Sequence, residues 1–237
     1  MAGGVSLRIV TWNCNGAFRL KRQAVDALHA DVLVIQECED PAQSTAAYRD
    51  WAGEYLWTGY GKSKGVGIFP RKGQLIEPLD WAGQEYQLFL PARLDRTLTI
   101  LGVWTQNSKP ATYSYIGQFW HFMQSNKARL DESTVILGDF NSNSIWDRPR
   151  RAWNHSDCVN ALRELSFTSL YHHTRSEGQG QEREPTFYFY RKPEKPFHID
   201  FIFAHDCLIS AENCRIQIGD PNIWLSLSDH MPMIADI

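Results

Sequence analysis

Five short stretches concentrate carboxylates and carboxamides: Trp12-Asn13-Cys14-Asn15, Gln36-Glu37, Gly138-Asp139-Phe140-Asn141, His198-Ile199-Asp200 and Ser228-Asp229-His230. Oxygen donors of this kind suit a hard divalent cation, Mg²⁺ or Mn²⁺, without a cage of His or Cys. Several carboxylates meeting in one pocket repel one another unless a cation neutralises them. Taken singly, each stretch also has a structural reading: a capped loop acid, an Asx turn, or a polar entry to a strand. The first four are each attached to an apolar, strand-like run and the fifth precedes the last strand. Strand ends in layered sheets are where sites gather.

The elements that must hold these groups follow from the apolar periodicity. Residues 7–12 read as a buried strand that breaks at Asn13–Gly16, and 31–36 as a second apolar run ending in Glu37. Between them, Phe18, Ala24, Val25 and Leu28 suit a helix over 17–30. Strand, helix, strand at this length implies a parallel pair with a crossover helix. Runs at 54–60, 65–69, 74–79 and 85–94, separated by Gly, Pro and Lys, read as antiparallel hairpins. A strand is expected at 97–104, a helix at 113–130, a strand at 133–137 and a helix at 157–165. The segment 176–181, rich in Gly and Gln, is expected to be a mobile loop. Residues 186–190 and 198–204 are expected to pair as strands, and 214–218 and 232–237 complete the chain. A parallel unit mixed with hairpins predicts an α+β fold, two packed sheets covered by helices, in a single domain spanning 1–237.

Composition removes several classes. The 237 residues carry 24 Lys and Arg against 27 Asp and Glu, a formal charge of −3, which excludes a protein that coats nucleic acid through bulk positive charge. Hydrophobic residues at 43% and charged residues at 22% exclude global disorder. No apolar run approaches the ~20 residues of a membrane helix, and no basic start with an apolar stretch marks a secretory signal. The five cysteines, Cys14, Cys38, Cys158, Cys207 and Cys214, are odd in number and lack CxxC spacing. They read as thiols of a reducing, cytoplasmic compartment. No membrane partner is expected, and the chain is expected to be a monomer.

In their order, Trp-Asn-x-Asn-Gly, Gln-Glu, Gly-Asp-Phe-Asn, Ile-Asp and Ser-Asp-His resemble the endonuclease/exonuclease/phosphatase superfamily over Arg8 to Ile237. The resemblance implies a four-layer α/β/β/α sandwich and metal-dependent hydrolysis of a phosphate ester by in-line attack of water. It implies that Glu37 binds the metal, with Asn15 and Asp229 nearby. Asp139 would position and activate the water, and Asn13 would hold Asp139 in place. Asn141, two residues on along an extended segment, would donate to the phosphoryl group. His230 would contact the phosphate, its ring oriented by Asp200.

Departures from the family pattern bear on the branch. After the 98–104 strand, where deoxyribonuclease-like and sphingomyelinase-like relatives place a His, the chain reads Val103-Trp104-Thr105-Gln106-Asn107. Trp104 and Asn107 stand at places similar to a Tyr and an Asn of abasic-site endonucleases, so the chain leans to the exonuclease III side. Trp104 brings no phenolic hydroxyl and reads equally as core. Lys62 and Lys64, and Arg148, Arg150 and Arg151, are candidate phosphate contacts or solvated loop charges. Phe187, Tyr188 and Phe197 are candidate stacking surfaces. The expectation is a divalent-metal phosphodiesterase acting on nucleic acid, DNA first, as an exonuclease, endonuclease or abasic-site repair enzyme. The alternatives are a phosphatase or phosphodiesterase for a small or lipid head-group ester, and a catalytically inactive binding module.

Overall fold

The structure, a computed structural model, describes residues 7–83, 88–151, 153–209 and 214–237. Its strands in chain order are β1 (Arg8–Asn13), β2 (Val32–Cys38), β3 (Leu56–Tyr60), β4 (Lys64–Pro70), β5 (Ile76–Pro78), β6 (Phe89–Leu94), β7 (Leu98–Trp104), β8 (Thr134–Asp139), β9 (Phe167–Ser169), β10 (Phe187–Tyr188), β11 (Pro196–Phe197), β12 (Asp200–His205), β13 (Arg215–Ile218) and β14 (Met233–Asp236). The α-helices are α1 (Arg22–Asp26), α2 (Ala46–Ala52), α3 (Ile116–Asn126), α4 (His155–Glu164), α5 (Leu170–Arg175) and α6 (Pro221–Trp224).

Two six-stranded sheets form, in the orders β13-β14-β1-β2-β4-β3 and β5-β6-β7-β8-β12-β9. Each has one parallel pair near its centre, β1 with β2 and β7 with β8; the remaining ladders are antiparallel. The parallel pairs follow from connections long enough to cross over, through α1 in one case and α3 in the other.

Alternation along the strands builds the layers. Val32, Val34, Val66 and Ile68 of the first sheet meet Ala92, Ile100, Val135, Leu137 and Ile202 of the second in one buried cluster. The opposite faces of the same strands, Val10, Leu33 and Ile35 in one sheet and Leu101, Ile136, Phe201 and Phe203 in the other, are covered by helices. Phe18, Val25 and Tyr48 cover the first sheet; Phe119, Phe122 and Leu162 cover the second. The result is the expected α/β/β/α sandwich.

Several elements differ from the sequence-based expectation. The helix expected at 17–30 is a 3₁₀ turn followed by the five-residue α1, because Ala17 and His29 take left-handed backbone conformations at its two ends. The helix expected at 113–130 is α3 continued by a 3₁₀ turn at Lys127–Arg129; Tyr115, with φ +51, separates it from the 3₁₀ turn that ends at Tyr113. Part of the run expected at 85–94 lies outside the described residues; the described part holds β6. Segment 186–190 does not pair with 198–204. Its β10 joins the two-residue β11 and bridges Phe187 to His230, and β12 instead sits between β8 and β9. The physical reason is burial: Phe201, Ile202 and Phe203 are apolar on both faces of the strand, which demands an interior position. The short β9, α2 and α5 carried too few periodic residues to be read. Segment 176–181 is tethered, with the Gln179 carboxamide joined to His155 Nε2 (3.1 Å) and His172 Nδ1 (3.3 Å).

No helix among the described residues is long and apolar enough to cross a membrane.

Candidate active site

The C-terminal ends of β1, β2 and β8 and the N-terminal ends of the antiparallel β12 and β14 lie at one edge of the sandwich, which brings four of the five stretches together directly. Asn13 is paired with Gln36 across the parallel β1–β2 ladder, so Glu37 follows beside it. Asp139 and Asp200 are register partners on β8 and β12. The fifth stretch enters β14, and β14 pairs with β1.

A chain of contacts links these groups. The Asn13 carboxamide nitrogen donates to Asp139 Oδ2 (2.9 Å) and to Glu37 Oε1 (3.3 Å), which ties the two sheets together through one side chain. The Asn15 backbone N–H donates to Asn13 Oδ1 (3.0 Å), and the Asn15 carboxamide donates to Asp229 Oδ1 (2.9 Å). Asp139 further accepts the Asn141 backbone N–H (2.8 Å) and its carboxamide (2.9 Å). His230 Nδ1 lies 2.9 Å from Asp200 Oδ2, and His230 Nε2 lies 3.9 Å from Asp139 Oδ2. The segment at Asn141 is not extended as expected. Asn141 has φ +46, and this turn folds its amide back onto Asp139.

Asp139, Asp200 and His230 are almost wholly buried. Burial pushes the Asp139 carboxyl up, and Asp200 adds to it; the His230 charge works against both without cancelling them. Burial pulls the His230 imidazole down, but the charges of Asp200 and Asp139 and the Asp200 hydrogen bond outweigh it and push it up. Two like charges face each other across a ladder, and one imidazolium between them supplies the counter-charge.

Which residues could hold a metal ion follows from their donor atoms. Asp139, Asp200 and His230 have ligand atoms within 4.8 Å of one another. The imidazolium of His230 offsets one of their two carboxylate charges, and its Nδ1 is committed to Asp200, so this triad offers a cation fewer free donors. Glu37, Asn15 and Asp229 fit a hard cation better. Asn15 spends its nitrogen on Asp229 and keeps its carboxamide oxygen as a donor, and two carboxylates complete an oxygen set. The bulge between Gln36 and Cys38, where Glu37 takes φ +59, aims its side chain into this set.

The other candidates separate. Trp104 is 4% exposed and lies in the core between the sheets, which corrects its assignment as a substrate contact: a ligand has no path to its ring. Lys64 bonds to Glu37 rather than standing free for a phosphate. Asn107 is exposed, with its side-chain oxygen accepting from Ser114 (2.8 Å). Lys62 is exposed in the β3–β4 turn, and Arg148 is exposed on the loop after Asn141, its backbone held by Asn154. Phe197 is half-buried 5.2 Å from the Trp146 ring, in the wall of a cavity of about 440 Å³. That cavity adjoins Asn141 and is lined by Tyr115, Trp146, Phe187, Phe189, Phe197 and Ile199, with Arg151 and His155 at its polar side.

Sequence reasoning missed three supports. Thr186 Oγ1 accepts the backbone N–H groups of Ile199 and Asp200. Ser228 Oγ donates to the Asn13 carbonyl (2.7 Å), and the Thr105 carbonyl accepts from Asn141 (3.0 Å). A small hydroxylic residue has no spacing signal, and a backbone carbonyl such as that of Thr105 has none from residue type; Ser228 and Thr105 both lie inside stretches quoted from the sequence. The cavity aromatics Tyr115, Trp146 and Phe189 were missed as a group, since three distant loops supply them.

Residues 10–230 match the Endonuclease/Exonuclease/phosphatase family. The chain belongs to that family. The three activities in the family name are all hydrolyses of phosphoric esters. Among solved structures, the fold is similar to an AP endonuclease from Archaeoglobus fulgidus, with 21% identity, TM-score 0.69, and 97% of this chain and 98% of that one covered. It is also similar to the 3′-5′ exonuclease NExo from Neisseria meningitidis, with 20% identity, TM-score 0.72, and 97% and 98% covered. A third is TDP2 of D. rerio in complex with a single-strand DNA product, with 14% identity, TM-score 0.62 and 98% of both chains covered. No curated protein matches the sequence.

Proposed function

We propose that this family member is a divalent-metal-dependent phosphodiesterase that hydrolyses nucleic acid, DNA in the first place. The observation that carries this reading is the continuous chain Glu37–Asn13–Asp139, with His230 and Asp200 behind it, opening beside an aromatic cavity. The cavity adjoins that chain through Asn141 and through Phe187, whose ring lies 4.6 Å from the His230 ring, which supports reading it as a stacking surface next to the reacting groups.

Glu37, Asn15 and Asp229 would hold Mg²⁺ or Mn²⁺, which supplies Lewis-acid polarisation of the phosphate. Asp139 is fixed by Asn13 and Asn141 and orients the attacking water, taking its proton as the carboxylate. His230, kept cationic by Asp200 and Asp139, donates through Nε2 to the phosphate as negative charge develops. Asn141 sits at the join of Asp139 and the cavity, and its two carboxamide N–H groups, held by Asp139 and the Thr105 carbonyl, fix that join rather than standing free for the phosphate. The cavity wall of Trp146, Phe187 and Phe197 receives the sugar–base unit next to the cleaved bond, since each base has a face to stack. Exposed Arg148 and Lys62, Asn107 on its loop, and Arg151 at the cavity are suited to neighbouring phosphates and sugars. DNA-bound neighbours support a nucleic-acid substrate, and the free cysteines fit a reducing, cytoplasmic compartment; the enzyme is proposed to act as one catalytic domain and as a monomer.

The test is a panel of single-stranded, duplex, nicked and abasic DNA, RNA and phosphoinositides, each with Mg²⁺, Mn²⁺ or EDTA. Cleavage of DNA that EDTA abolishes is expected. Release of inorganic phosphate or a head group with no oligonucleotide cut would replace this reading with the small-ester one.

A further inference from the structure

Lys64 is the first residue of β4, and its ammonium bonds to Glu37 Oε2. We propose that Lys64 is a built-in rival of the metal ion: it holds Glu37 as an ion pair until a divalent cation displaces it, and so sets the metal concentration at which the site fills. The proposal rests on the reading of Glu37 as a metal-holding residue.

Three observations carry it. The first is backbone geometry. The bulge that turns Glu37 toward the site also shifts the β2–β4 register, so that Cys38 pairs with Gly65 and Lys64 falls next to the Glu37 side chain. The second is the path of the lysine stem. A Cβ placed on Gly16 would lie 3.9 Å from Lys64 Cε, so the stem runs over the turn that carries Asn15. The ammonium therefore rests on Glu37 with its stem against Gly16, the residue after Asn15. The third is the asymmetry of exposure. The Lys64 side chain is 54% exposed and that of Glu37 18%, so the lysine reaches in from solvent and the carboxylate stays.

The physical consequence is competition. An ammonium and a divalent ion on one carboxylate repel strongly at such short range. Metal binding therefore requires the pair to open, and apparent affinity falls by the fraction of molecules in which it is closed. Lysine suits the role, because its charge is compact, hydrated and mounted on a flexible stem. Exposed pairs of this kind are weak enough to be displaced by an ion of higher charge.

The experiment is calorimetric titration of Mn²⁺ into the metal-stripped full chain, without substrate, for wild type, Lys64→Met, Lys64→Arg and Glu37→Gln. Lys64→Met keeps the stem and removes the charge at an exposed position. It is expected to tighten Mn²⁺ binding by about two- to fivefold. Lys64→Arg keeps the charge and is expected to bind no tighter than wild type. Unchanged or weaker binding in Lys64→Met overturns the proposal, as does equal tightening in Lys64→Arg. If Glu37→Gln binds Mn²⁺ like wild type, the metal-site reading itself fails. If Glu37→Gln loses binding while Lys64→Met gains nothing, the rivalry alone fails.

Discussion

His230 owes its charge to two carboxylates it cannot avoid. With Asp200 on Nδ1 and Asp139 beyond Nε2, the cationic form is favoured over the ordinary imidazole range. A raised value means the pair stabilises the fold below about pH 6.5 and loses that contribution as pH rises through the raised value. Asp200→Asn should therefore move the His230 titration, followed by NMR in metal-free protein, to lower pH. The same variant should lower kcat by about 10²–10⁴-fold. An unmoved titration would show that Asp200 does not hold the ring. Glu37→Gln should lower metal-dependent turnover by about 10²-fold or more. Its circular dichroism should match wild type, because Glu37 sits at a partly exposed bulge rather than in the core. These site residues were legible because their types are chemically narrow and their strands end abruptly. Lys64 was legible only as a charge: a pairing across a register shift cannot be read from spacing.

The elements impose tighter limits than the side chains do. Gly138 precedes Asp139 in β8 with φ +146, and a Cβ there would lie 1.9 Å from the Val103 carbonyl oxygen on the paired β7. Gly138→Ala should therefore cost more than about 2 kcal/mol, measured by urea unfolding, and should displace Asp139. The loop after Asn141 is held from behind by the tethered 176–184 segment. Asn143 donates to Glu182 (3.1 Å), and His172 and the Gly180 N–H meet the same carboxylate. Burial pushes Glu182 up, but the bonds from His172, Gly180 and Asn143 outweigh it and bring it to about 2. A depressed carboxyl stabilises above its unfolded value of about 4.5, and that share is lost as pH falls toward 2. The stability gap between wild type and Glu182→Gln should thus narrow over that window, from about 2–3 kcal/mol near neutrality. A gap independent of pH would show that the carboxylate charge contributes nothing. Such a brace between two loops has no periodicity, which is why a mobile segment was expected there.

For the molecule as a whole, a charge of −3 leaves no broad cationic face. Glu37, Asp139, Asp200 and Asp229 contribute four of the negative charges, and all four are turned toward a site that attracts cations. On the proposed function, substrate affinity would depend on local groups such as Arg148, Arg150 and Lys62. The slope of log K against log salt for duplex binding should be shallow, and Arg148→Ala with Arg150→Ala should reduce it by about 2, near one per phosphate contact. An unchanged slope would place the duplex elsewhere. The sandwich explains how few charges suffice. Two sheets packed face to face bring β1, β2, β8, β12 and β14 to one edge, so groups far apart in sequence need no long-range field to meet.

What the sequence by itself determined is the family, the sandwich and the identity of the acids and amides at the strand ends. Those depend on residue type and on alternation, both of which are local. What only the tertiary structure decided is who touches whom. Trp104 went to the core, Lys64 went to Glu37, β12 went to the centre of its sheet, and aromatics from three loops closed one cavity. Each of these depends on burial and on register between strands distant in sequence, and a one-residue shift at the Gln36–Cys38 bulge is enough to redirect a charge.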